Sequence, residues 1–145
     1  MSCLKESHYD IPFYNSTDYT IYVDVSFDHP DTTLRQMQDV TTSGWFLDIK
    51  PHKWGNPLDN MMTTYESEFH GMDTLIIFVF NSDTLATYGW ENVKDDYLIS
   101  QRYDLSLNDL KRMNWHLSFP PTEEMRNIKM WPPYGTYDPL GHRRE

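Results

Sequence analysis

Asp28-His29-Pro30-Asp31 sets an imidazole between carboxylates at the end of an alternating segment. A carboxylate beside a histidine can orient a general base or help complete a metal shell. His29 and Asp31 are therefore the candidates for hydrolysis or for metal binding. The simpler and preferred account is a solvated turn in which Asp31 caps the residues after it. The remaining histidines, His8, His52, His70, His116 and His142, do not recur at i, i+4 or at any compact ligand spacing. Glu66/Glu68 and Asp95/Asp96 are paired acids, but carboxylates that cleave a glycosidic bond must face each other across roughly 5–9.5 Å. Adjacency in sequence supplies no such geometry, and both pairs read as solvated faces. The chain contains no glycine-rich phosphate loop, nucleophile elbow, HExxH helix or DxDxDG calcium loop. No cofactor is implied.

Aromatic residues offer a different chemistry. Trp54, Trp90, Trp131, Tyr134 and Tyr137 fall in predicted loops or in the C-terminal tail. Flat rings in such places can stack on a sugar or on a partner protein, and they can equally close the ends of a small core. Cys3, the single cysteine, excludes an internal disulfide and a thiolate zinc cluster. Met1-Ser2-Cys3 followed by polar Leu4-Lys5-Glu6-Ser7 looks like the end of a lipoprotein signal, where the cysteine becomes the acylated first residue. The alternative is an ordinary thiol near a frayed terminus. One acyl chain anchors only marginally, so lipidation here would require several.

The composition limits the partners. The 145 residues suit one domain and carry a net charge of −10. Residues 1–121 hold 8 Lys/Arg against 18 Asp/Glu, whereas residues 122–145 hold 4 against 4. Such an acidic body repels phosphate backbones and anionic membranes, which disfavours nucleic acid as a partner. Aromatics make up 15% of the chain, yet mean hydropathy is −0.68. That pairing describes an aromatic core under a polar skin. No apolar stretch approaches the roughly 18 residues of a membrane span.

These side chains must be positioned by strands. Leu75-Ile76-Ile77-Phe78-Val79-Phe80 is apolar on both faces and bounded by Asp73-Thr74 and Asn81-Ser82-Asp83, so it reads as a strand covered on two sides. Residues 19–27 alternate at period two and predict a half-buried strand. Ile11-Pro12-Phe13-Tyr14 predicts an edge strand, joined to the next by an Asn15-Ser16-Thr17-Asp18 turn as a hairpin. Residues 45–50 predict another half-buried strand, broken at Pro51–Gly55. A helix is predicted over 56–71, with Asn56 as N-cap and Gly71 as C-cap. Shorter helical turns are predicted from Asp83, over Trp90–Asp96, and from the Ser106/Asp109 capping pair. Residues 97–103 read as extended, and a last strand covers 115–119 up to Pro120-Pro121. The expected fold is mainly β, an antiparallel sandwich-like domain with short helices in the connections, with α+β as the alternative. Residues 1–10 form an N-terminal tether, 11–121 the β-rich domain, and 122–145 an irregular Pro/aromatic tail.

Several segments together carry a family likeness: Tyr14-Asn15-Ser16-Thr17, Tyr22-Val23-Asp24-Val25, Pro30-Asp31-Thr32-Thr33-Leu34, Ile77-Phe78-Val79-Phe80, Tyr88-Gly89-Trp90-Glu91-Asn92-Val93, Gln101-Arg102-Tyr103-Asp104-Leu105-Ser106, Asp109-Leu110 and Asn114-Trp115-His116-Leu117-Ser118-Phe119-Pro120. Over about residues 11–120 the chain resembles small lipoproteins of gut Bacteroidota, with Phe119 where the family pattern has Tyr. The resemblance implies a location rather than an activity. It makes Cys3 the lipidated residue and gives Lys5-Glu6 a loose similarity to charged surface-export signals. On physical grounds the shared residues read as scaffold: Trp90, Tyr97, Tyr103, Leu110 and Trp115 pack connections onto the sheet. Arg102 pairs with a nearby acid, and Asn114 bonds backbone at a turn.

The leading expectation is a non-enzymatic cell-envelope lipoprotein of the outer membrane, acting as an interaction or accessory module. Its partner would be another envelope protein or a glycan, and it would meet the membrane only through a lipid at Cys3. A carbohydrate-binding module using the loop aromatics is the second reading. A hydrolase built on His29 and Asp31 is the third.

Overall fold

The computed structural model describes residues 11–26, 29–34, 37, 39, 47–57 and 74–136. The elements run β1 (Phe13–Asn15), β2 (Ile21–Ser26), β3 (Leu47–Ile49), β4 (Lys53–Gly55), β5 (Leu75–Asn81), α1 (Ser82–Tyr88), α2 (Trp90–Asp96), β6 (Gln101–Leu105), α3 (Leu107–Arg112), β7 (Leu117–Phe119), a 3-10 turn (Glu123–Met125) and β8 (Lys129–Trp131). One sheet has the order β3-β2-β5-β6-β8 and is antiparallel throughout. The other has the order β4-β1-β7, with β1 antiparallel to β4 and parallel to β7. The fold is mainly β and sandwich-like, with short helices in the connections.

β5 explains why two covering layers exist. Each of its seven residues is buried, and alternation sends successive side chains to opposite faces. Leu75, Ile77 and Val79 join a core with Phe13, Ile21, Val23, Tyr103, Leu110 and Phe119. That core lies between the two sheets and is closed by α3 and by Met125 and Ile128. Ile76, Phe78 and Phe80 enter a second core with Leu34, Leu85, Trp90, Val93 and Ile99. There α1, α2 and the segment around Leu34 are the covering layer. Full burial of an alternating run on both faces is what makes the segment continuously apolar.

Local chemistry starts α3 at the expected Ser106/Asp109 pair and α1 at Ser82, one residue before the expected Asp83. Asn81 caps α1 by accepting from Asp83 N at 2.7 Å. Ser106 and Asp109 form a reciprocal capping box at α3, each side chain accepting from the other's backbone N–H at 3.0 Å. α2 closes on Tyr97 in the left-handed conformation (φ 57°).

Several boundaries differ from the sequence expectation. β1 and β2 are not a hairpin, because they belong to different sheets. Asn15 turns the chain between those sheets and is fully buried. The alternating strand starts later than its pattern, at Ile21 and running to Ser26, and Phe27 lies outside the described residues. Pro51–Gly55 does not simply break a strand: a turn at Pro51-His52 is followed by β4. The last strand pairs in parallel with β1, after Asn114 and Trp115 turn through left-handed backbone (φ 55° and 65°). The segment after Pro121 is not irregular from its start. Met125 and Ile128 are buried and β8 pairs with β6 over Arg102–Asp104. Apolar residues spaced three and two apart over so short a stretch leave no readable period. The tether 1–10, residues 58–71 of the predicted helix, and Tyr137 onward lie outside the described residues.

Candidate binding surface

The three-stranded sheet buries one face and turns the other to solvent. Phe13, Leu117 and Phe119 point into the core, so Tyr14 points away from it; His116, the exposed residue just before β7, lies on the same side as Trp54. On β4 the alternation is enforced by Gly55. A methyl group there would lie 2.7–2.8 Å from Ile49 Cγ1 and Cδ1 and from Leu47 Cδ2. Gly55 therefore lets β4 press its inner face onto the core while Trp54 projects outward.

Register completes the arrangement. Trp54 stands directly opposite Tyr14 across the β1–β4 pair. Their ring centroids are 5.0 Å apart at 48°, and His116 meets the Trp54 ring edge-on at 5.9 Å and 88°. Trp54 keeps 58% of its surface exposed, the highest among the large apolar side chains described. His116 Nδ1 lies 2.6 Å from the Asn114 carbonyl. That acceptor requires the proton on Nδ1, which leaves Nε2 of the neutral ring as an acceptor. Trp54 Nε1, the Tyr14 hydroxyl and His116 Nε2 have no hydrogen-bond partner among the described residues. The surface can thus offer an apolar face edged by a donor, a hydroxyl and an acceptor.

The other predicted aromatics have different fates. Trp90 is buried and meets Phe80 edge-on at 5.6 Å, so it holds the second core and presents nothing to a ligand. Trp131 is not in a loop: it lies in β8, half-buried against Tyr97 at 5.2 Å. Tyr134 is 39% exposed, in the turn that follows. Tyr137 and Cys3 lie outside the described residues. Nothing in the sequence marks Tyr14 or His116 as a site residue, since each sits in an alternating segment where an outward polar or amphipathic side chain is ordinary.

Asp31 accepts from Thr33 N at 2.9 Å and from Thr33 Oγ1 at 2.6 Å, which makes it the stabiliser of a local turn. His29 is half-buried beside it in sequence. Among the described residues no group of three His, Cys, Asp or Glu side chains could hold a metal ion.

The second face of the larger sheet carries a polar line. Arg102 Nε donates to Asp104 Oδ1 at 3.0 Å, and its Nη1 donates to Tyr97 Oη at 2.8 Å. Tyr97 in turn donates to the Thr32 carbonyl at 2.6 Å. This chain ties the 29–34 segment to β6 and gives the buried Asp104 carboxylate its counter-ion. Burial pushes the Asp24 carboxyl up to about 6, opposed by a backbone hydrogen bond from Val25 N. Burial also pushes the Tyr103 phenol well above its ordinary range, and its hydroxyl donates to Ser118 O at 2.7 Å. These contacts serve the scaffold.

Set against family models, curated proteins and solved structures, the chain matches none of them.

Proposed function

We propose that the chain is a non-enzymatic binding module of the cell envelope, anchored through an acylated Cys3 and presenting the Tyr14–Trp54–His116 surface to its partner. The observation that carries the reading is the placement of Trp54. A large indole is held 58% exposed by two neighbouring rings, while Trp90 serves the second core. An exposed aromatic ring held in place by its neighbours presents contact area at little entropic cost on binding. The Ser2-Cys3 junction and the resemblance to small gut Bacteroidota lipoproteins support the envelope setting.

Two measurements test it. Trp54→Ala should leave the thermal midpoint of the full chain within about 2 °C of wild type, since an exposed residue outside the core has little folding energy to lose. A drop of 6 °C or more would show that the indole serves cohesion and end the presentation reading. In the native host, labelled palmitate should enter the full-length precursor and fail to enter its Cys3→Ser variant. Equal labelling of both, or of neither, would remove the anchor.

A further inference from the structure

We infer that the ligand of the Trp54 surface is a neutral pyranose oligosaccharide, a deepening that rests on the binding reading above. Three observations favour a sugar over a protein. The first is size. With 58% of its surface exposed, Trp54 offers roughly 90–145 Å² of contact area, given the 150–250 Å² such residues bury when fully covered. Tyr14 is half-buried and His116 is one exposed imidazole, so the patch falls well short of the ~800 Å² per partner of a stable protein interface. One or two sugar rings match it.

The second observation is the chemistry at the rim. A pyranose has an apolar face of C–H groups and an equator of hydroxyls. The C–H groups are attracted to the negative face of an indole ring. The hydroxyls need partners that both give and take protons. Trp54 Nε1–H donates, His116 Nε2 accepts, and the Tyr14 hydroxyl does either. None of the three is engaged by another described residue. The Asn114 carbonyl fixes which His116 nitrogen accepts. Trp54 is the stacking platform, and Tyr14 and His116 both hold its plane and contact hydroxyls.

The third is charge. A net charge of −10 opposes uronic-acid and sulfated glycans at moderate ionic strength. The ligand is therefore a neutral polymer.

Affinity electrophoresis of the full chain tests the assignment, in native gels containing mixed-linkage β-glucan, xylan, galactomannan, amylopectin or soluble chitin oligomer. Wild type should be retarded in at least one gel. Trp54→Ala should weaken that retardation at least tenfold, Tyr14→Phe and His116→Ala three- to tenfold, and Asp24→Asn not at all. Migration of wild type unchanged in all five gels would overturn the inference, as would equal retardation of Trp54→Ala. Sedimentation velocity supplies another arm: a dimer abolished by Trp54→Ala would mean that a second copy, not a sugar, covers the ring. If Trp54→Ala melts normally but no gel retards the wild type, only the sugar assignment fails. If it melts early, the presentation reading fails with it.

Discussion

Asn15→Asp should destabilise the domain by about 3–5 kcal/mol, although the two side chains are nearly isosteric. Asn15 Nδ2 faces three carbonyls, donating to Tyr19 O at 2.8 Å, Ile49 O at 2.9 Å and Lys50 O at 3.2 Å. Its Oδ1 accepts from Thr17 N at 2.9 Å and from Thr17 Oγ1 at 2.6 Å. One fully buried amide thus gathers β1, the start of β2 and the end of β3. A carboxylate would keep the Thr17 contacts but turn an oxygen toward carbonyls that need a donor. Each buried acceptor left unmatched costs about 1–3 kcal/mol, and the buried charge adds to that. Urea denaturation should show the loss as a lower midpoint with an unchanged slope. The deficit should shrink at acid pH, where the protonated acid donates one hydrogen bond. A loss below 1 kcal/mol would show that Asn15 does not organise the junction.

Asp24→Asn should stabilise the domain by about 2–3 kcal/mol at pH 7.5 and change it little near pH 4. The folded carboxyl is held at about 6 against an ordinary value of 3.8, because burial beside the aromatic face penalises its charged form. A raised acid favours the fold through its neutral state. That contribution is complete below about 3.8 and is lost as pH climbs through about 6. The difference amounts to about 3 kcal/mol once ionisation is complete. Asparagine keeps an oxygen for Val25 N, which the wild-type carboxyl meets at 2.8 Å, and carries no charge to bury. The comparison must be made between variant and wild type at each pH. The ion pairs of Asp104 and Asp109 are common to both proteins, so the comparison isolates Asp24. Equal gains at pH 4 and pH 7.5 would mean that Asp24 is not titrating where its burial places it.

What could be read from the sequence follows from the range of the forces involved. β5 was legible because a strand buried on both faces leaves an unbroken apolar run. The helix start at Ser106 was legible because capping acts over three residues, whereas Asn81 read as a turn former after β5 and its capping of α1 was not. Arg102 meeting Asp104 and Tyr103 packing inward follow from their places beside core positions. The partition of β1 and β2 into different sheets was not legible. It depends on Asn15 finding carbonyls of Ile49 and Lys50, more than thirty positions away. β8 was hidden because three residues against one strand make too short a pattern. The surface itself was half legible: Trp54 stood out as an aromatic, but a loop was expected where a strand exists. Its neighbour Tyr14 is joined to it only by the β1–β4 register, and His116 arrives from the residue just before β7.

The parallel pairing of β1 with β7 has a consequence for biogenesis. Ser16 donates from its backbone and its hydroxyl to Phe119 O, across 103 positions of chain. Contacts so distant in sequence close late and slow folding. During translation the smaller sheet lacks one of its strands until Leu117–Phe119 have been made. Until then β1 is a half-paired ribbon with Phe13 uncovered, a candidate for chaperone protection. Trimming the chain before Leu117 would leave the first strand without its lateral neighbour.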